Sequence, residues 1–233
     1  MENSKKNAWN DSYDKKDNYL FYPHEEVIRF VSKYIRKRVG LSDYSDVGGK
    51  IASNIKIIDL GCGIGRHVIY FHEMGLQSFG VDLSDSAIEF ALKWARNISF
   101  MNENEYIRQA DIRKLPWDDG FFSFAISHGV LDSMSFDIAR LSCIELARVM
   151  SEGGLFYCDL ISGDDSFHAR EFSGEEVIQS CHEHGTIQLY FNLEKINTLF
   201  KDIFEIVECN LIRRENIFNG SFGSRYHLVL KKV

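Results

Sequence analysis

The sequence predicts an α/β fold in which a mostly parallel sheet is covered by helices on both faces. Three observations carry that expectation. Residues 55–67 open with the β-branched run Ile55, Ile57 and Ile58, reach the acid Asp59, and then place glycines at alternate positions, Gly61, Gly63 and Gly65. A buried parallel strand followed by a tight turn reads this way. Residues 78–84 form a second short strand ending in an acid, Asp82, roughly 20 residues beyond the first turn. Apolar runs and helical spacings then alternate as far as residue 160, which requires right-handed crossovers between parallel strands.

Up to about residue 22 the chain is polar but carries Trp9, Tyr13, Tyr19, Phe21 and Tyr22. A disordered tail has few aromatics, so this arm is expected to pack on the domain. Pro23 suits a first helical position. Val27, Phe30, Val31, Tyr34 and Ile35 form the apolar stripe of a helix that the basic run Arg36-Lys37-Arg38 would end. Residues 40–52, with Gly48-Gly49, read as a loop into the first strand. The glycine turn leads into a helix near Gly65 through Val68, Ile69 and Phe71. Ser84 is placed to cap a second helix, whose apolar face is Ala87, Ile88, Ala91, Leu92 and Ala95.

A third strand is expected over 105–110, a turn at Asp118-Asp119-Gly120 and a fourth strand over 121–128. A helix over 135–150, stopped by Gly153-Gly154, precedes a fifth strand over 155–160. Residues 204–216 and 225–232, joined through Asn219-Gly220 and Gly223, read as a closing hairpin. The intervening residues 161–201 are longer than a crossover needs, and long connections of this kind usually carry function. A substrate-side lid is expected there, with Phe167, His168, Phe172, Tyr190 and Phe191 as an aromatic wall; packing against the sheet is the other reading of these side chains.

A chain of 233 residues, 45% of them apolar, can bury a full core as a single domain over residues 1–233. The formal charge of −7 argues against unaided binding to nucleic acid or to an anionic membrane, since both need clustered Lys and Arg. No apolar run approaches the roughly 18 residues of a membrane span. The polar start is unlike a signal peptide, so a cytoplasmic protein, monomer or homodimer, is expected. Five scattered cysteines, Cys62, Cys143, Cys158, Cys181 and Cys209, read as reduced, buried thiols. Cys181-His182-Glu183-His184 matches no usual zinc spacing, so no metal is expected.

The turn after the first strand selects the ligand. A dinucleotide-binding turn reads G-x-G-x-x-G, but counting from Gly61 puts Arg66 where the last glycine should stand. An acid followed by G-x-G-x-G suits instead a ligand with a cationic amino group. Asp59-Leu60-Gly61-Cys62-Gly63-Ile64-Gly65 resembles the first motif of the class I S-adenosylmethionine-dependent methyltransferases, of the small-molecule type. Asp82, then Ala110-Asp111-Ile112 with Leu115-Pro116-Trp117, then residues 148–155 follow that family's pattern in order, with Glu152 in the usual proline position.

The resemblance implies a Rossmann-like three-layer sandwich with a mostly parallel seven-stranded sheet and an antiparallel last strand. It implies S-adenosyl-L-methionine as cofactor and S-adenosyl-L-homocysteine as product. Gly61, Cys62, Gly63, Gly65 and Arg66 would meet the methionine part, with Asp59 at its amino group. Asp82, with Leu83 and Ser84, would take the ribose, Asp111 and Ile112 the adenine edge, and Ser127 and His128 would flank the cofactor at the end of the fourth strand. In many members an N-terminal Trp and Tyr close the pocket. Tyr13 is then a cofactor contact and Trp9 a lid residue within an arm over 1–40; simple anchoring of the arm explains them equally well.

Methyl transfer from a sulfonium is an in-line displacement with a neutral leaving group, so positioning dominates. A hydroxyl or amide-like acceptor also benefits from a general base. His128 is the first candidate, because imidazole titrates in the useful range, and Asp132 and His168 follow. For His128 the competing reading is a hydrogen-bonded loop support. Ser127-His128-Gly129-Val130 lacks the Asn-Pro-Pro-Tyr type of segment found in nucleic-acid amino-methylating members. The expected function is therefore methyl transfer to an O or N atom of a small molecule, a secondary metabolite or a sugar or polysaccharide precursor. The alternatives are a non-catalytic cofactor-binding partner or regulatory subunit and, disfavoured by the missing glycine, a nicotinamide-dependent oxidoreductase.

Overall fold

The structure, a computed structural model, describes residues 2–16, 18–49, 51–100, 103–179 and 185–233. Along the chain run α1 (Glu2–Asp14), α2 (Glu25–Tyr34), β1 (Arg36–Arg38), β2 (Tyr44–Asp46), β3 (Lys56–Leu60), α3 (Arg66–Glu73), β4 (Gln77–Asp82) and α4 (Asp85–Asn97). Then come α5 (Glu103–Tyr106), β5 (Ile107–Gln109), β6 (Phe122–Ser127), α6 (Phe136–Val149), β7 (Met150–Ile161), β8 (Glu175–Val177), β9 (Ile187–Leu189), α7 (Leu193–Phe200), β10 (Phe204–Glu215) and β11 (Phe222–Lys232).

Seven strands make one sheet in the order β10-β11-β7-β6-β3-β4-β5. β3, β4, β5, β6 and β7 pair in parallel, whereas β11 is inserted antiparallel between β7 and β10. The order reverses at β3: the chain first builds outward through β4 and β5, then returns to lay β6 on the other side. Ligands of such sheets bind at the strand C-termini beside that reversal.

Alternate residues of the strands face opposite layers. Ile57, Phe124 and Ile126 pack with Val27, Phe30 and Phe71 of α2 and α3, while Ile58, Leu60 and Ala125 pack with Cys143, Leu146, Ile196 and Leu199 of α6 and α7. α4 joins the first layer through Ile88, Ala91 and Ala95, set against Val68 and Ile69. Being covered on both faces, the central strands are continuously apolar, and this is what made them recognisable.

Several boundaries differ from the sequence expectation. The residues before Tyr22 include a helix, α1. α2 begins at Glu25 rather than at Pro23, because His24 serves as its N-cap and accepts the Glu26 amide on Nδ1 at 3.2 Å. Arg36-Lys37-Arg38 does not end a helix but forms β1, paired with β2 inside the expected loop. Arg36 finds Asp46 at 3.1 Å, the face of Tyr44 and the Met74 carbonyl, which together outweigh another helical turn. The third strand is cut to Ile107–Gln109 by the helical turn α5, and the fifth extends to twelve residues. Cys62, Cys143 and Cys158 are buried free thiols, but Cys209 is exposed on the edge strand β10. Among the described residues no helix is long and apolar enough to cross a membrane.

α3 approaches β4 so closely that Gly80 leaves no room for a side chain: a Cβ there would lie 2.6 Å from Val68 Cγ2 and 2.9 Å from Cys62 Sγ. Gly80→Ala should therefore destabilise the protein by about 1–3 kcal/mol through overpacking. Urea denaturation checks this, and an unchanged midpoint would show that α3 can shift without cost.

Candidate active site

β3 delivers the chain into the turn that opens the site. Gly61 and Gly63 have φ of 70° and 54°, in the left-handed region that favours glycine. A Cβ on Gly61 would also strike Val130, and one on Gly63 would lie 2.5 Å from the Tyr13 hydroxyl. The Cys62 amide donates to Val81 O at 2.9 Å, which ties the turn to β4, and Gly65 starts α3.

Asp82 ends β4 with its carboxylate turned to the same turn. Its Oδ2 accepts the Gly63 amide at 2.8 Å and its Oδ1 the Ser84 amide at 2.9 Å. Burial pushes this carboxyl up to about 6, and those two amides restrain the rise. Ser84 caps α4 by accepting from Ala87 N, and its hydroxyl meets Asn10 Oδ1 of α1 at 2.7 Å. A cavity of about 750 Å³ lies in front of these groups. Its wall includes Gly61, Cys62, Gly63, Arg66, Asp82, Leu83, Asp111, Ile112 and His128, with Trp9, Tyr13 and Leu20 contributed by the N-terminal arm and Val130, Met134 and Ile138 adding an apolar side. The arm is fastened to α4 by Lys6–Asp85 at 2.7 Å and by Tyr19 and Phe21 against Phe90 and Trp94.

Four expected cofactor residues stand outside that wall. Gly65 sits at the helix start, Ser84 is committed to its cap, Ser127 is buried at the end of β6, and Asp59, only 1% exposed, lies beneath the turn. Asp59 Oδ2 is 3.3 Å from His67 Nδ1, and burial pushes its carboxyl up to about 7 against the pull of Arg66. Asp111 is gripped by Arg113, whose Nε reaches both carboxylate oxygens at 3.0 Å. Arg66, by contrast, lines the cavity without a hydrogen-bonded partner among the described residues, and burial lowers its pKa.

Beyond the end of β6, His128 Nδ1 is 3.1 Å from Asp159 Oδ1. Three further imidazoles gather there. The His24 ring lies 4.2 Å from His128, His67 meets His128 edge-on at 5.6 Å, and His227 stacks 5.8 Å from His24 while its Nδ1 shares a 2.8 Å hydrogen bond with the Tyr157 hydroxyl. Burial lowers the pKa of His24, His67 and His227, that of His24 to about 4. Sequence reasoning missed these partners, together with Asp159 and Arg225. Asp159 carried a usable signal, an acid near the end of an apolar strand. His24 and His227 carried none, because only folding brings them together.

The other two proposed catalytic groups are placed elsewhere. Asp132 is buried, accepting the Ile161 amide at 2.9 Å and pairing with Arg225, and it does not reach the cavity wall. His168 is held by Asp165 at 2.9 Å and Glu176 at 3.2 Å, which raise its pKa, and stacks on Phe172 at 4.3 Å. That cluster fastens the 161–201 segment to itself. None of Phe167, Phe172, Tyr190 and Phe191 lines the cavity, so the expected aromatic wall is not formed: Phe167 is 88% exposed, while Tyr190 and Phe191 are buried in packing. Among the described residues no group of His, Cys, Asp and Glu could hold a metal ion; residues 181–184 lie outside them.

Comparison with known proteins follows the same lines. Residues 58–158 match the family model described as a methyltransferase domain. An uncharacterised protein of Rickettsia prowazekii is 29% identical over 104 residues, 44% of this chain and 41% of that one. The sterol 4-C-methyltransferase strm-1 of Caenorhabditis elegans is 26% identical over 144 residues, 60% of this chain and 39% of its own. The chain thus spans about two fifths of the length of these curated relatives. The crystal structure of an S-adenosylmethionine-dependent methyltransferase from Methanosarcina mazei shares the fold, with a TM-score of 0.65 at 20% identity, covering 78% of this chain and 94% of that one.

The His24 environment makes stability depend on pH with a definite sign. Its folded pKa, about 4, lies below the ordinary 6.5, so between those values the unfolded chain binds more protons and wild-type stability falls as pH is lowered. Asn at this position keeps an N-cap but cannot titrate. The melting temperature of His24→Asn relative to wild type should rise as pH goes from about 7 to about 4.5. A difference independent of pH would remove the proposed cost of charging His24.

Proposed function

We propose, from the premise that residues 58–158 belong to the methyltransferase-domain family within a class I fold, that this protein moves a methyl group from S-adenosyl-L-methionine to an oxygen or nitrogen atom of a small molecule. The observation that carries this reading is the convergence of the glycine turn, Asp82 and His128 on one cavity beside the strand-order reversal.

The residues present suit the cofactor. The turn at Gly61 and Gly63 admits a ligand against bare backbone, and Arg66 offers a partly buried guanidinium without a hydrogen-bonded partner among the described residues to a carboxylate such as that of methionine. Asp82 retains acceptor capacity for ribose hydroxyls after taking two backbone amides. Asp111 and Ile112 border the part of the cavity assigned to adenine, and Tyr13 closes over Gly63. When bound, the cofactor supplies a methyl group on a sulfonium, so the chain's own work is orientation, exclusion of water and removal of one proton. His128 takes that proton from the acceptor. Because Trp9, Tyr13 and Leu20 roof the cavity, a small acceptor fits better than a polymer, in keeping with the charge of −7.

Calorimetric titration with S-adenosyl-L-methionine tests the premise; no binding would remove it. Asp82→Ala should weaken cofactor binding at least tenfold, since a buried charge-assisted hydrogen bond is worth about 1.5–3 kcal/mol. His128→Ala should lower methyl transfer to an acceptor found by panel screening by about 10²–10⁴-fold while cofactor affinity stays within about threefold. Cofactor binding with no transfer to any acceptor would favour a non-catalytic binding partner.

A further inference from the structure

Asp159 lies outside the cavity wall, yet its side chain is buried and held by several partners. The parallel register of β6 and β7 places Ser127 beside Cys158, so the next residues in each strand direction, His128 and Asp159, stand side by side. On its other flank the antiparallel register sets His227 opposite Asp159. The carboxylate is 1% exposed and occupied from three directions. Oδ1 accepts the Gly129 amide at 2.8 Å and lies 3.1 Å from His128 Nδ1, a buried nitrogen with no other partner among the described residues and within ion-pair reach of this carboxylate alone, while Oδ2 takes Arg225 Nε at 2.7 Å.

We propose that Asp159 is the positioning residue of His128: held in place by Arg225 and the Gly129 amide, it keeps the imidazole in the Nδ1–H tautomer and so leaves Nε2 as the basic nitrogen available to the cavity. This deepens the methyl-transfer reading and rests on it for its consequence in catalysis.

The surroundings favour this over a purely structural ion pair. Arg225 serves two carboxylates, Asp159 and Asp132, and the two respond oppositely. Burial acts to raise both, but Arg225, His128 and the Gly129 amide hold Asp159 well below the usual carboxylate range, whereas Asp132 remains raised. Neither His24 nor His67 offers Nδ1 of His128 a competing acceptor. His24 has its own Nδ1 committed to the Glu26 amide, and His67 accepts the His24 amide on Nε2 at 3.3 Å, which turns its Nδ1 proton toward Asp59. Arg66 is the remaining charged group near this cluster and is a cation.

In the transfer step the acceptor's O–H or N–H proton passes to His128 Nε2 as the acceptor lone pair forms the bond to the methyl carbon. The carbon–sulfur bond breaks and its electron pair stays on sulfur. His128 becomes an imidazolium with Nδ1 3.1 Å from the Asp159 carboxylate, and it later loses the Nε2 proton to water. An orienting carboxylate of this kind acts through the base rather than on the substrate.

The tautomer can be read without an acceptor. Long-range proton–nitrogen spectra of ¹⁵N-histidine-labelled full-length protein, saturated with S-adenosyl-L-homocysteine at pH about 8, assign His128 by its loss in His128→Gln. The expected wild-type result is a protonated Nδ1 and an unprotonated Nε2. In Asp159→Asn that preference should be lost, with affinity for S-adenosyl-L-homocysteine within about threefold of wild type, because Asp159 lies outside the cavity wall. An Nε2–H tautomer in the wild type, or an unchanged tautomer in the folded variant, would overturn the assignment. If the variant does not fold, the wild-type spectrum decides alone. On an acceptor that the wild type methylates, Asp159→Asn should lower kcat about 10²-fold with KM little altered. The expected tautomer without any methyl transfer would sink the catalytic reading and leave the positioning role standing, so the two failures are distinguishable.

Discussion

The carboxylate of Asp82 joins the two halves of the cofactor side. By accepting the Gly63 amide at 2.8 Å and the Ser84 amide at 2.9 Å, it couples the turn after β3 to the start of α4. Among the described residues neither donor has another partner, so the geometry is set by obligatory backbone hydrogen bonding. Gly80, two residues earlier, lets α3 close over β4, and the Cys62 amide reaches Val81 O across the same gap. The cavity exists because these close approaches hold the turn open in front of Asp82.

The opposite wall depends on a different kind of restraint. There one guanidinium, Arg225, spans Asp132 and Asp159, and four imidazoles crowd against the latter. Burial drives His24, His67 and His227 toward neutrality, while Arg225 holds Asp159 well below the usual carboxylate range. A field of this shape is strongest where solvent is least able to screen it. Its basic side chains come from antiparallel β11, which carries both Arg225 and His227 alongside β7. The strand that departs from the parallel pattern is thus the one that equips the end of β6.

The roof comes from the beginning of the chain. α1 and the segment after it lie across the C-terminal ends of the strands, held to α4 by polar contacts and by aromatic packing of Tyr19 and Phe21. This assigns enclosure of the cavity to the arm. The segment between β7 and β10, which is the longer of the two, instead forms its own cluster around His168 and leaves Asp132 as a buried support.

What the amino-acid sequence determined by itself was everything that depends on local pattern. Runs buried on both faces marked the parallel strands, Ser84 marked a cap, and the glycines with Asp59 and Asp82 marked the turn and its facing carboxylate, because each feature is a short-range demand of backbone geometry. The basic run at Arg36 misled for the same reason: its partners, Asp46 and Met74, are close only after folding. The tertiary structure alone decided which acids and imidazoles meet. Asp159 and His128 are 31 positions apart, and His24 and His227 lie near opposite ends of the chain, so no local spacing relates them. Strand order and register brought them together, placed Asp132 and His168 away from the cavity, and set Asp59 beneath the turn. Patterning follows from the period of each element, whereas the company a polar side chain keeps follows from how the layers pack.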